Sequence, residues 1–116
     1  MFTHAITRQP CEAMIDGIST AGLGPPDYEL ACSQHADYVA ALESCGLAVT
    51  VLPADPDYPD STFVEDTAVM LPGAVILTRP GAVSRRGEVL QIRPTLEAVF
   101  GDISTIHPPG TLEGGD

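Results

Sequence analysis

The fold of this chain is organised around a short acidic stretch in its middle, Phe63-Val64-Glu65-Asp66-Thr67-Ala68. The stretch precedes a strongly apolar segment at 69–77, and residues 62–71 are predicted to form a β-strand. Neighbouring side chains of a strand point to opposite faces, so Glu65 and Asp66 cannot both face solvent unless this edge lines a cavity. Because a carboxylate held against apolar groups is costly unless it meets a cation, the stretch indicates a cation-binding site.

A second acidic motif ends the sequence, Thr111-Leu112-Glu113-Gly114-Gly115-Asp116. We interpret the two motifs as parts of one pocket for a positively charged small molecule. The adjacent glycines allow a close backbone approach. From the residues alone a plainer interpretation stays open, in which Glu65 and Asp66 are a solvated strand end and Glu113 is an ordinary turn residue.

The composition indicates one small globular domain with an acidic surface. The chain has 116 residues, 44% of them apolar, and its 16 acidic residues against five arginines and no lysine give a net charge of −11. That charge argues against nucleic acid as a partner and permits a cationic ligand, although it could serve solubility alone. No apolar run reaches the roughly 18 residues of a membrane span, and the N-terminal residues lack the order of a signal peptide. We therefore expect a cytoplasmic protein without membrane association.

The cysteines and histidines give no pattern of metal ligands. Cys11, Cys32 and Cys45 are odd in number and lack metal-binding spacing. We expect Cys32 and Cys45 to be small core residues of one helix in a reducing compartment. A structural zinc site is therefore not expected.

The order of elements predicts an α/β fold of two similar units, a first at about 1–59 and a second at about 60–116. In the first, Asp27 is a candidate N-cap and Gly46 the stop of an amphipathic helix. In the second, Ser84 is a candidate cap of the helix, and Pro94 is expected to break it. The remaining predicted elements are strands at 2–7, 47–52, 62–71, 74–78 and 103–107, a helix at 28–45, a loop at 8–26 and a turn at Pro72-Gly73.

Three motifs in this order resemble the N-terminal part of the dimethylarginine dimethylaminohydrolases, members of the guanidino-modifying or pentein superfamily. They are Pro59 to Asp66, then Thr78-Arg79-Pro80-Gly81 with Ser84-Arg85-Arg86-Gly87-Glu88, then Gly110 to Asp116. The resemblance implies a five-bladed α/β-propeller of strand-strand-helix-strand units, of which this chain would supply about two. It also implies hydrolysis of Nω-methylated arginine to citrulline and methylamine or dimethylamine through a cysteine-bound thiouronium, without a metal or organic cofactor.

The resemblance also assigns roles to individual residues. Asp66 resembles the carboxylate that binds the substrate guanidinium, and Glu113 the glutamate that orients the catalytic histidine. Ile18 lies where the family has a lid loop over the bound substrate. The other implied contacts are to the substrate's amino end, from Asp60 and Glu65, and to its carboxylate, from Arg85.

The resemblance leaves the catalytic pair unassigned, because the family's histidine and nucleophilic cysteine follow the glutamate motif. None of the cysteines or histidines here stands in a matching position, so we expect residues 1–116 alone to be inactive. Two alternatives remain: a deiminase or amidinotransferase of the same fold acting on arginine-like substrates, and a non-catalytic short chain that needs a partner chain. A homodimer or a complementing chain would fit the incomplete propeller, because exposed sheet edges favour association.

Overall fold

The computed structural model describes residues 1–115, so Asp116 at the end of the second acidic motif lies outside the described residues. Helices and strands alternate along the chain, which confirms the predicted α/β class. The chain divides into two compact units, Met1–Thr62 and Phe63–Asp116, called unit one and unit two below. Neither α-helix among the described residues has the length and apolarity needed to cross a bilayer.

Unit one is a strand–helix–strand arrangement. Strand β1 (His4–Arg8) pairs in parallel with strand β2 (Ala48–Leu52), with His4 opposite Ala48 and Arg8 opposite Leu52. The connection between the strands contains a 3₁₀ turn at Glu12–Asp16 and helix α1 (Tyr28–Ser44). A helix between parallel strands is the usual crossover of an α/β unit.

Helix α1 begins at the predicted residue and ends at Ser44, one residue before the predicted end. The Asp27 side chain accepts a hydrogen bond from the Leu30 amide at 2.9 Å, which satisfies one of the unpaired N–H groups at the helix start. Gly46 has a φ of +86°, a conformation that glycine adopts without steric cost. Both predicted boundary signals are therefore confirmed. The prediction that Cys32 and Cys45 are core residues is wrong, because Cys32 is only partly buried and Cys45 is exposed at the end of the helix.

Polar contacts hold the proline-rich loop of unit one against strand β1. Arg8 is buried, and its Nη1 donates to the Pro53 carbonyl at 2.9 Å. The Thr62 hydroxyl donates to the Arg8 carbonyl at 3.0 Å, and the Ser61 hydroxyl to the Asp55 carbonyl at 3.3 Å. The loop is thus fixed by backbone carbonyls that accept side-chain donors.

Unit two contains a three-stranded sheet and one helix. Strand β3 (Ala68–Leu71) pairs antiparallel with β4 (Ala74–Leu77), and β4 pairs in parallel with β5 (Asp102–Thr105). The turn between β3 and β4 contains Gly73 at a φ of +79°, as its Pro-Gly sequence predicted. Helix α2 (Arg86–Glu97) connects β4 to β5.

The apolar core of unit two lies where helix α2 packs against strand β4. Val75 and Leu77 alternate with half-buried neighbours along the strand, as expected for a strand with one covered face. The helix contributes Val89, Ile92 and Leu96 at spacings of three and four residues, which places them on one face.

The prediction of a strand from residue 62 is wrong at its N-terminal end. Residues Val64–Thr67 form a 3₁₀ turn, and the strand begins only at Ala68. The Thr67 hydroxyl donates to the Val64 carbonyl at 2.6 Å, a local bond that competes with strand pairing. Glu65 and Asp66 therefore lie on a turn, and the argument from alternating strand faces does not apply to them.

Two predictions about helix α2 are also wrong. Ser84 does not cap the helix, because residues Val83–Arg85 form a separate 3₁₀ turn and the helix follows it directly. Pro94 does not break the helix, which continues to Glu97. Proline has no N–H, so the carbonyl of Leu90, four residues earlier, lacks its usual helical donor. Leu90 is exposed, and its carbonyl can bond water instead. Ile92 and Leu96, buried on either side of Pro94, hold the helix against the sheet.

Candidate functional site

The acidic turn of unit two is held in place through its backbone. The Thr78 hydroxyl donates to the Asp66 carbonyl at 2.6 Å, and the Thr78 amide donates to the Thr67 carbonyl at 3.0 Å. Both threonines are buried. Because the backbone on each side of the carboxylate is fixed, the Asp66 side chain leaves the turn in a defined direction.

The Asp66 carboxylate pairs with Arg85. Arg85 Nη1 lies 2.5 Å from Asp66 Oδ2, and the two side chains are only 11% and 20% exposed. Arg85 Nη2 also donates to the Phe63 carbonyl at 3.3 Å, at the start of the same turn. The guanidinium therefore binds the acidic turn by both its side chain and its backbone.

Glu88 binds the other edge of the same guanidinium. Arg85 Nε donates to Glu88 Oε1 at 3.1 Å and Nη2 donates to Glu88 Oε2 at 2.8 Å, a bidentate pair. Burial by itself would lower the pKa of Arg85, but its hydrogen bonds and proximity to Glu88 and Asp66 outweigh that effect and raise the pKa. Arg85 is therefore a permanent cation between two carboxylates.

The second acidic motif lies directly against the acidic turn. The Gly114 amide donates to the Asp66 carbonyl at 3.1 Å. A Cβ atom at Gly114 would lie 2.7 Å from the Ala68 carbonyl oxygen, and one at Gly115 would lie 2.5 Å from Asp66 Oδ1. Such distances are shorter than real contacts. Position 114 needs glycine if the two segments are to approach this closely, because the atoms it faces are backbone, whereas a Cβ at position 115 would displace the Asp66 side chain.

Glu113 is positioned by a neighbouring turn. Its Oε1 accepts a hydrogen bond from the Gly81 amide at 3.0 Å, and the Leu112 amide donates to the Arg79 carbonyl at 2.9 Å. Glu113 is half-buried, whereas Glu65 is exposed. Unit two thus brings together four of the predicted site residues, Glu65, Asp66, Arg85 and Glu113.

The remaining predicted site residues, Asp60 and Ile18, meet in unit one. Asp60 Oδ2 accepts a hydrogen bond from the Ile18 amide at 3.1 Å, and the Ile18 side chain is 60% exposed. A Cβ atom at Gly17 would lie 2.6 Å from Asp60 Oδ1, so the loop approaches the carboxylate closely because residue 17 is glycine. At the predicted lid position, the backbone of the loop therefore donates a hydrogen bond to Asp60, one of the carboxylates predicted to bind the substrate.

Sequence reasoning did not include Glu88 in the site. In the structure its side chain is only 4% exposed and pairs with Arg85. The available signal was its spacing from Arg85, since opposite charges three residues apart at a helix start can meet on one face. Among residues 1–115, no group of three or more histidine, cysteine, aspartate or glutamate residues has a geometry that could hold a metal ion.

The chain is similar in sequence to curated proteins over all or nearly all of its length. It is 44% identical to N(G),N(G)-dimethylarginine dimethylaminohydrolase of Pseudomonas aeruginosa, covering 100% of this chain and 46% of that protein. It is 38% identical to the protein of the same name from Streptomyces coelicolor, covering 97% of this chain and 44% of that one. The chain thus spans about half the length of the curated relatives it matches. No family profile matches it.

Solved structures agree with these relatives. A dimethylarginine dimethylaminohydrolase adduct with S-methyl-L-thiocitrulline matches the whole chain with a TM-score of 0.98, and the Pseudomonas aeruginosa enzyme complexed with citrulline matches with 0.97, both at 44% identity and 46% coverage of the solved chain. The N-terminal domain of ArgZ, an arginine dihydrolase of cyanobacteria, matches at 0.85 with 17% identity, covering 98% of this chain and 43% of that one, a likeness of fold alone. These matches confirm a partial pentein-type α/β fold.

Proposed function

We propose that this chain, a homologue of the dimethylarginine dimethylaminohydrolases, is the acidic substrate-binding part of an enzyme that hydrolyses Nω-methylated arginine. The products would be citrulline and methylamine or dimethylamine. The observation that carries the proposal is the Asp66 carboxylate, largely buried and fixed against the Glu113 loop. The sequence identity to the Pseudomonas aeruginosa enzyme supports it.

Asp66 would receive the substrate guanidinium, because a carboxylate and a planar cation form strong charge-assisted hydrogen bonds. Its backbone is fixed by Thr78 and Gly114, so the carboxylate needs little reorganisation when the substrate arrives. We assign Glu113 to orient the histidine that transfers protons. The half-buried position of Glu113 and its bond from Gly81 support a fixed orientation.

The other assignments concern the amino-acid end of the substrate. We propose that Glu65 and Asp60 lie near its amino group, that Arg85 also pairs with its carboxylate, and that the loop at Ile18 covers it. The hydrogen bond from the Ile18 amide to Asp60 supports a link between the loop and a substrate-binding carboxylate.

The reaction needs a nucleophile that we place outside residues 1–116. A cysteine thiolate would attack the guanidinium carbon, and the methylated amine would leave after taking a proton from the histidine. Water would then attack the thiouronium carbon while the histidine takes its proton, and the carbon–sulfur bond would break to release citrulline and restore the thiolate. Residues 1–116 would supply binding and orientation, and we expect them to be inactive alone. This scheme uses no metal or organic cofactor.

The wider assembly follows from the same proposal. We propose a five-bladed propeller of which these residues form about two blades, completed by further sequence or by a complementing chain, with a homodimer as a further possibility. Free Cys11, Cys32 and Cys45 support the cytoplasm as the location, since disulfides are rare there. The net charge supports a small cationic substrate over nucleic acid.

The test measures citrulline formed by the gene product that contains these residues, with dimethylarginine, monomethylarginine and arginine as substrates. We expect turnover of the methylated arginines and a loss of about 100-fold or more in kcat/KM for Asp66→Asn, because its charge would no longer face the guanidinium. Glu97→Gln, an exposed position on helix α2, is the matched control and should retain activity.

Two results would contradict the proposal. Turnover of arginine equal to or above that of the methylated substrates would favour the deiminase or amidinotransferase alternative. Binding of a methylated arginine without citrulline formation, in a gene product of only this length, would favour the non-catalytic alternative.

A further inference from the structure

Glu88 is a buried carboxylate that the functions proposed above do not use. It lies in the first turn of helix α2, is only 4% exposed, and directs both carboxylate oxygens at Arg85. Glutamate is seldom this buried unless it is paired. The position of Glu88 therefore depends on the Arg85 guanidinium, and the orientation of that guanidinium depends on Glu88.

The Arg85 guanidinium contacts Glu88 and Asp66 through different nitrogen atoms. Glu88 takes the edge formed by Nε and Nη2, and this leaves Nη1 directed at Asp66. Arginine and carboxylate groups commonly form a two-bond fork. Here the fork is made with Glu88, so Arg85 reaches Asp66 end-on at Oδ2, and Asp66 Oδ1 lies over Gly115 instead.

We propose that Glu88 is a positioning residue for guanidinium binding, which holds Arg85 in the orientation that leaves the Asp66 carboxylate able to receive a substrate cation. Without the charge of Glu88, the fork edge of Arg85 would turn to Asp66 and compete with the substrate for both carboxylate oxygens. This inference rests on the proposed function, since it takes Asp66 as the carboxylate that binds the substrate guanidinium.

The experiment compares Glu88→Gln with wild type in the gene product that contains these residues. Two quantities are measured, KM for dimethylarginine and the inhibition constant of citrulline, whose ureido group is neutral. We expect KM to rise about tenfold, the equivalent of one charged hydrogen bond. The inhibition constant of citrulline should rise less than KM. Citrulline shares the amino-acid end that Arg85 is proposed to contact, but its neutral ureido group depends less on the charge of Asp66.

The control is Glu97→Gln, which makes the same charge change on the same helix. Glu97 pairs with Arg93 at 2.7 Å on an exposed surface, where such pairs contribute little. Neither constant should change in this variant. A KM change equal to that of Glu88→Gln would show an effect of helix charge and would overturn the inference.

Glu88→Asp keeps the charge but shortens the side chain, and it provides a test if Glu88→Gln does not fold. We expect KM to rise about threefold, again with a smaller change for citrulline. An unchanged ratio of the two constants in the folded variants, including an equal loss in both, would indicate general structural support and overturn the positioning role. Absence of turnover in wild type would instead refute the proposed function and the inference together.

Discussion

Helix α2 of unit two buries four of its 12 residues, whereas helix α1 of unit one, with 17 residues, has none that is buried. Unit two combines an apolar core with the ion pairs of Arg85. Unit one relies on a helix cap and on hydrogen bonds from Arg8 and Thr62 to the backbone. The difference shows that a helix beside a sheet can be stabilised by burial in one unit and by a cap and side-chain-to-backbone hydrogen bonds in the other.

The largest expected effect is on the core of unit two. Leu96 is fully buried, and Leu96→Ala should lower the free energy of opening helix α2 by about 2–5 kcal/mol, because it leaves a cavity beside Ile92 and Val89. Hydrogen exchange of helix α2 amides, followed by mass spectrometry, measures this change. Leu90→Ala on the exposed side of the same helix is the control. A loss no greater than that of the control would mean that burial does not stabilise this unit.

A smaller effect is expected at the cap of unit one. Asp27→Ala removes the acceptor of the Leu30 amide and should lower the free energy of opening the first turn of helix α1 by about 1 kcal/mol. Amide exchange of residues 28–32 measures it. Asp37→Ala, an exposed change of equal charge in mid-helix, should leave this turn unaffected. If both variants behave alike, net charge and not capping determines the stability of the helix start.

The smallest effect is a pH dependence of helix α1. Burial lowers the pKa of His35, and its Nε2 is shielded from solvent without a hydrogen-bond partner among residues 1–115. The unfolded state, with an ordinary histidine pKa of about 6.5, therefore binds a proton before the folded state does as pH falls. The stability of helix α1 that is linked to neutral His35 is fully present above about pH 6.5. It decreases as the pH is lowered towards the reduced pKa of His35 in the folded state.

The check is amide exchange of helix α1 between about pH 7 and pH 5, corrected for intrinsic rates. His35→Gln should flatten the dependence relative to wild type. An identical dependence in both proteins would assign it to other titrating groups.

The sequence correctly predicted the features that depend only on neighbouring residues, such as helix boundaries and tight turns. Asp27 and Gly46 bound helix α1, and Gly73 forms the turn of the hairpin, because capping and positive φ need only neighbouring residues. Pro94 was mispredicted because the buried residues that hold its helix in place are a tertiary effect. Likewise, the 3₁₀ turn at Val64–Thr67 depends in part on Thr78, a residue distant in sequence.

The same distinction between local and tertiary signals applies to the candidate site. Its acidic residues were visible as motifs. The two motifs, interpreted from the sequence as parts of one pocket, lie in contact within unit two, where Gly114 meets Asp66, and the pocket itself stays a prediction. The part played by Glu88 was not predicted, because its burial becomes apparent only once helix α2 is packed. Motifs indicate which groups carry the chemistry, and packing determines which groups hold them.

All five arginine side chains form contacts within their own unit. Arg8, Arg79 and Arg86 donate to backbone carbonyls, Arg93 pairs with Glu97, and Arg85 is bound as described above. With a net charge of −11, the long-range field of this part of the molecule is attractive to cations. The methylated arginine proposed above as the substrate would be drawn in over roughly the 10 Å Debye length of 0.1 M salt. Its association rate should therefore be highest in dilute buffer and fall as ionic strength rises.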